Sequence, residues 1–159
     1  MSDWLTEEEQ RTWRSMILMH AQLTAAVAQG LKTDSDMSIS DYEVLAILSE
    51  APHGTLRARD LRCQLQWEKS RLAHHIRRME QRGYVRRDAC TDDLRAPIIS
   101  ITELGLGTIR AAAPAHVANV RQLFFNALAP TQLRVMREAA DTVLENIARH
   151  VLPETAADE

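Results

Sequence analysis

Residues 55–102 constrain this chain more than any other stretch. A basic run of helical period passes there into two short β-favouring segments joined by Asp92-Asp93-Leu94-Arg95. That order is the order of a helix-turn-helix followed by a two-stranded wing. Residues 57–87 hold ten Lys or Arg (Arg57, Arg59, Arg62, Lys69, Arg71, Arg77, Arg78, Arg82, Arg86, Arg87) against Asp60, Glu68 and Glu80. The segment therefore carries +7 in a chain of formal net charge −3, and the remainder carries −10. Positive charge concentrated in this way makes a local polyanion-binding face, while the acidic remainder stays soluble and repels nucleic acid. The plain alternative is a solvated charged face.

Around this segment the apolar period is helical. Trp13, Met16, His20, Leu23 and Val27 recur at three or four residues and predict a long first helix over 6–31, ended by Gly30 and the run 33–38. Ser40 and Glu43 have the spacing of a capping box for a second helix, with Val44, Leu45 and Leu48 on its apolar face and Pro52 and Gly54 as its stop. A third helix is expected over 56–65 and a fourth over 69–82, with Gln66 and Trp67 as the tight connection and Gly83 as terminator. Residues 84–88 and 98–101 read as strands, and no others are expected. Helical period returns at Thr102, with Pro114 inside the fifth helix. A last helix follows Pro130, with Leu133, Met136, Ala140, Val143 and Ile147 as a stripe that needs a partner.

The fold class expected is thus mainly α: a winged helix-turn-helix over 36–102, flanked by long helices in a dimerisation region over 1–35 and 103–159. The stripe on the last helix packs either on a twofold mate or within the chain. At 159 residues and 45% hydrophobic, the chain is long enough for one domain with a sizeable core. Residues 1–9 lack the basic start and apolar core of a secretory signal, and no apolar run reaches membrane-spanning length, so a cytoplasmic protein without a membrane partner is expected. Aromatic residues make up only 4%, which disfavours base stacking on single strands or RNA and favours duplex DNA.

Catalytic motifs are missing. The sequence has no Gly-rich phosphate loop, no H-E-x-x-H and no G-x-S-x-G, and its six histidines and two cysteines show no familiar metal spacing. Neither an enzyme nor a cofactor or metal is expected. Cys63 and Cys90 are read as reduced thiols, with peroxide sensing as the alternative.

The candidate DNA contacts lie on the fourth helix. Leu72, Ile76, Met79 and Gly83 share one side at 100° per residue, and Ser70, Arg71, His74, Arg78 and Gln81 share the other. Arg71, in the first turn, can reach a guanine O6/N7 edge with two hydrogen bonds. Lys69 and Arg77 are read as phosphate contacts, and His75 on the flank as a packed or capping residue. At the wing tip, Arg95 is placed to enter a narrowed minor groove, with Asp93 orienting it.

Several runs together resemble the MarR-type winged-helix transcriptional regulators: Ser40-Asp41-Tyr42-Glu43-Val44-Leu45, Leu48-Ser49-Glu50-Ala51-Pro52, Ser70-Arg71-Leu72, Arg78-Met79-Glu80 and Gly83-Tyr84-Val85. Asp93-Leu94-Arg95 with Ile101-Thr102 is similar to that family's wing, and Ala113-Pro114-Ala115-His116-Val117 to a run of one of its branches. The resemblance spans nearly the whole chain. It implies a homodimer, with helices from both chain ends at its interface and two winged heads on a palindrome. It also implies a small, often phenolic or anionic, ligand between the dimer helices and the head; Trp13, His20, Tyr42 and His116 are the residues placed to line such a cleft, and each also reads as a core residue. Two departures stand out: Ala96-Pro97 follows Arg95 where the family has Gly, and Ala129 stands where it has a Ser or Thr cap. The function expected is sequence-specific regulation of transcription, as a repressor on a pseudo-palindromic operator. The alternatives are a winged-helix module that binds an acidic protein and a thiol-based sensor.

Overall fold

The computed structural model describes residues 4–88 and 97–151. Helices α1 (Glu7–Ser35), α2 (Ile39–Glu50), α3 (Ala58–Leu65), α4 (Lys69–Gln81), α5 (Glu103–Leu123) and α6 (Pro130–Val151) are joined by strands β1 (Thr55–Arg57), β2 (Val85–Asp88) and β3 (Ile98–Ile101). The chain divides into two compact units, one up to Asn119 and one from Val120. No helix among the described residues is long and apolar enough to cross a membrane.

α1 starts with a reciprocal cap: Thr6 Oγ1 accepts from the Glu9 N–H at 3.3 Å, and the Glu9 carboxylate accepts from the Thr6 N–H at 2.7 Å. It does not stop at Gly30. The helix runs on to Asp36, which takes the left-handed conformation at φ 52°. Gly30 serves packing instead, because a Cβ there would fall 2.1 Å from Asn119 Nδ2 on α5. α2 is capped by Ser38, whose hydroxyl accepts from the Asp41 N–H at 3.1 Å, two residues ahead of the expected Ser40. Ser38 and Asp41 carry the same S-x-x-acid spacing as Ser40 and Glu43, and the cap that buries Val44, Leu45 and Leu48 prevails.

A third strand corrects the two-strand expectation. After the 3₁₀ turn Pro52–Gly54, residues Thr55–Arg57 are extended, the last two of them where a helix was expected, and they pair antiparallel with β3. β2 pairs on the other edge of β3, so the sheet order is β1-β3-β2. Gly54 is required at this corner: its φ is 68°, and a Cβ would meet Ile101 Cγ2 at 2.7 Å. The core of this unit is built from Met37, Val44, Leu45 and Leu48 of the second helix region, Leu61, Trp67, Leu72, Ile76 and Met79 of the next two helices, Val85 and Ile99 of the sheet, and Ile109 and Ala112 of α5.

Thr102 begins α5. Its hydroxyl donates to the Gly83 carbonyl at 2.6 Å and accepts from the Gly105 N–H at 3.0 Å. Pro114 lies inside α5 without ending it. In the second unit, Ala129 supplies no side-chain cap to α6, yet Gln132 Oε1 accepts the Ala129 N–H at 2.8 Å and Pro130 occupies the first turn. Half of a capping box therefore survives without the Ser or Thr.

Candidate nucleic-acid interface

Tight turns at both ends set α4. Before it, Gln66 is left-handed (φ 54°), and the N–H groups of Gln66 and Trp67 donate to the carbonyls of Cys63 and Arg62. After it, Gly83 is left-handed (φ 77°), with its N–H on the Glu80 carbonyl and the Tyr84 N–H on Met79. Both are Schellman closures, which end a helix without leaving its last carbonyls unsatisfied. Between them, Leu72, Ile76 and Met79 are buried, and Lys69, Ser70, Arg71, His74, Arg77, Arg78 and Gln81 are exposed. The two-faced helix read from the sequence is the one observed.

Acids take up some of the ten basic side chains. Arg82 pairs with Asp41, Arg86 with Asp88 at 3.0 Å, Arg87 with Glu80 at 2.6 Å and Arg59 with Asp60 at 3.4 Å. Hydrogen bonds from Arg87 hold the Glu80 carboxyl below its ordinary range. Arg57, Arg62, Lys69, Arg71, Arg77 and Arg78 make no ion pair with the described residues, and all six are exposed. The positive potential that remains for a partner therefore lies along α3 and α4.

Beneath α4 sits a buried polar cluster. Asp41 is only 2% exposed; its Oδ2 accepts from Arg82 Nη1 at 2.6 Å, and its Oδ1 lies 3.1 Å from His75 Nε2, an ion-pair distance without hydrogen-bond alignment. Burial pushes the Asp41 carboxyl up, but His75, Arg82 and Ser38 outweigh it and hold the group well below the usual carboxylate range. His75 is buried. Its ring and that of Trp67 make a T-shaped contact at 5.2 Å between centroids, and the Arg71 guanidinium lies over the same indole at 4.1 Å from the ring centroid. Arg82 in turn lies over Tyr84 at 4.6 Å.

Asp41 and Trp67 are the site residues that sequence reasoning missed. The Ser38-x-x-Asp41 spacing was a signal for the first. For the second, a large aromatic immediately before a basic helix was the only one.

The remaining candidates fall in three places. Arg95, Asp93 and Cys90 lie outside the described residues. Tyr42 and His116 are brought together, with ring centroids 4.1 Å apart; burial raises the Tyr42 hydroxyl and lowers the His116 imidazole. His116 Nδ1 is buried without a hydrogen-bond partner among the described residues. Trp13 and His20 lie on an exposed stretch of α1, and Trp13 lines a separate shallow pocket with Trp4, Leu5, Gln10 and Arg14. Cys63 is exposed on α3. No cluster of three or more His, Cys, Asp or Glu able to hold a metal occurs among the described residues.

Comparison with known proteins converges on this arrangement. Residues 37–96 match the sequence profile of the MarR family. Over 103 residues the chain is 30% identical to YfiV, an uncharacterized HTH-type transcriptional regulator of Bacillus subtilis (strain 168); the match covers 62% of this chain and 60% of that protein's length. A MarR-family transcriptional regulator from Streptomyces coelicolor, crystallised in complex with DNA, is 34% identical with a TM-score of 0.89, covering 99% of this chain and 97% of that one. AbsC, a MarR-family regulator from the same organism, is 37% identical with a TM-score of 0.88, over 94% of this chain and all of the other. A likeness that runs at this identity through head and flanking helices alike settles descent: the chain belongs to the MarR family of transcriptional regulators.

Proposed function

We propose that this regulator binds duplex DNA sequence-specifically as a homodimer and represses transcription from a pseudo-palindromic operator. The observation that carries the reading is the exposed face of α4, where Ser70, Arg71, His74 and Arg78 stand together on a helix whose other side is core. Laid in the major groove, that face offers Arg71 to a guanine edge and Ser70 and His74 to bases or phosphates, while Lys69, Arg77 and Arg78 meet the backbone. Arg95, oriented by Asp93, is assigned to the minor groove. The DNA complex of the 34%-identical relative supports the assignment.

The dimer reading divides the chain into a head over 36–102 and a dimerisation region over 1–35 and 103–159. Its support is the apolar surface that each flanking helix leaves exposed: Trp13, Met16 and Ile17 on α1, and Val135, Val143, Leu144 and Ile147 on α6. A second copy related by a twofold axis would cover such faces and set the heads about 34 Å apart, one helical turn of DNA. A small phenolic or anionic effector in the Tyr42–His116 region would release the operator by preferring a head spacing that DNA does not fit. The unpartnered His116 Nδ1 supports a polar ligand there.

Selection of duplexes from a randomised pool at one fixed, near-physiological salt concentration tests the reading. An enriched inverted repeat with half-sites one turn apart is expected. Binding without enrichment would replace it with a non-specific architectural role, and no binding with a protein-interaction module.

A further inference from the structure

Arg71 is not a free side chain on the surface of α4: its guanidinium already rests on Trp67, at 4.1 Å from the ring centroid. Trp67 cannot swing away with it. The indole is 8% exposed, belongs to the core and makes a T-shaped contact with His75. His75 is in turn beside the buried Asp41, which Arg82 holds from the far end of α4. A fixed aromatic surface therefore lies under the Arg71 cation, and the residues that hold it reach to the far end of the helix.

The stacking geometry matters for recognition. A guanidinium lying on a ring uses its face, whereas its five N–H donors point outward in its plane. Lying flat on the ring, the group would keep the fork needed for two parallel hydrogen bonds to a base edge, with part of its rotamer freedom already surrendered before DNA arrives. Lys69, Arg77 and Arg78, on the same helix, have no such platform among the described residues. They remain suited to phosphate, which requires charge more than orientation.

We propose that Trp67 is a specificity-positioning residue: its ring preorganises Arg71 for bidentate base recognition and contributes to selectivity without touching DNA. The inference rests on the reading of Arg71 as a base contact, and the experiment separates the two. The full-length protein and its Arg71→Ala, Trp67→Leu, Trp67→Phe and double Arg71→Ala/Trp67→Leu variants are titrated against the selected duplex and its single-base substitutions. Salt dependence is recorded for each.

Trp67→Leu should lose about two- to fivefold of discrimination at the positions that Arg71→Ala relaxes, the range expected for one exposed cation–π contact. The salt slope should be unchanged, and the double variant should discriminate no worse than Arg71→Ala alone, since coupled residues are not additive. Trp67→Phe, which keeps a ring, should restore part of the loss. Full discrimination in Trp67→Leu, or additive losses in the double variant, would overturn the positioning role while leaving Arg71 as the reader. Full discrimination in Arg71→Ala would overturn the reading itself. If Trp67→Leu does not fold, the Arg71 side-chain protons of the unaltered protein give the same answer by NMR: ring-current displacement is expected, and random-coil shifts would sink the proposal.

Discussion

Arg82 Nη1 donates to Asp41 Oδ2 at 2.6 Å and so ties the C-terminal end of α4 to the first turn of α2. The carboxylate is buried but the Arg82 side chain is 40% exposed, which decides the energetics of the pair. Breaking a fully buried pair by removing one partner costs about 3–5 kcal/mol, but a guanidinium that can rehydrate softens the loss.

Asp41→Asn should therefore destabilise the protein by about 2 kcal/mol, the scale of hydrogen bonds to a charged group. Chemical denaturation at matched protein concentration measures it. A loss under about 0.5 kcal/mol, the size of ordinary surface substitutions, would show that the pair contributes nothing to holding α4.

The same carboxylate makes stability depend on pH with a defined sign. Its pKa in the folded chain is depressed, so its contribution is present above the unfolded carboxylate value, near pH 4, and is lost as pH falls from there towards the lower folded value. The unaltered protein should lose stability on acidification below about pH 4.5 more steeply than Asp41→Asn does. Parallel acid limbs in the two proteins would exclude Asp41 as the source.

Two glycines of α5 should respond in opposite directions. A Cβ on Gly105 would stand 2.2 Å from the Tyr84 carbonyl oxygen, which is backbone and cannot rotate away, whereas a Cβ on Gly107 meets nothing within 4 Å. Gly105→Ala should cost about 1–3 kcal/mol by forcing the helix off the sheet. Gly107→Ala should gain about 0.5–1 kcal/mol from helix propensity alone. Thermal unfolding compares them directly, and destabilisation by Gly107→Ala would contradict the open space at that position.

DNA titrations should sort the basic residues by the shape of their effects. Arg71→Ala is expected to cost about 1–3 kcal/mol on the preferred operator and to relax preference at one base pair. Arg77→Ala and Arg95→Ala should weaken binding to all duplexes alike, with Arg77→Ala lowering the salt slope by about one phosphate. Equal loss and equal preference in Arg71→Ala and Arg77→Ala would leave no reader on α4.

Much of this was legible from residue pattern. Leu72, Ile76 and Met79 recur at helical spacing, and that repeat alone separated the buried side of α4 from its charged side. The errors came where local signals compete. Gly30 reads as a helix stop because its value lies in what it lets near, the Asn119 side chain, and periodicity carries no information about a neighbour 89 positions on. β1 is three residues long, too short for an alternation, and becomes a strand because β3 offers it a ladder. Asp41 was passed over because an acid in a first helical turn is ordinary; its partner Arg82 lies 41 residues away and meets it only in the fold.

Thr102 has a mechanical consequence. One hydroxyl joins the carbonyl of Gly83, in the turn after α4, to the Gly105 amide in the first turn of α5, and the Thr102 N–H donates to the Tyr84 carbonyl at 3.0 Å. These bonds link the turn after α4 directly to the first turn of α5. A tilt of the first turn of α5 should therefore reach the turn that ends α4 as through a crank on a shaft, a rigid route from one helix to the other that needs no unfolding of the head.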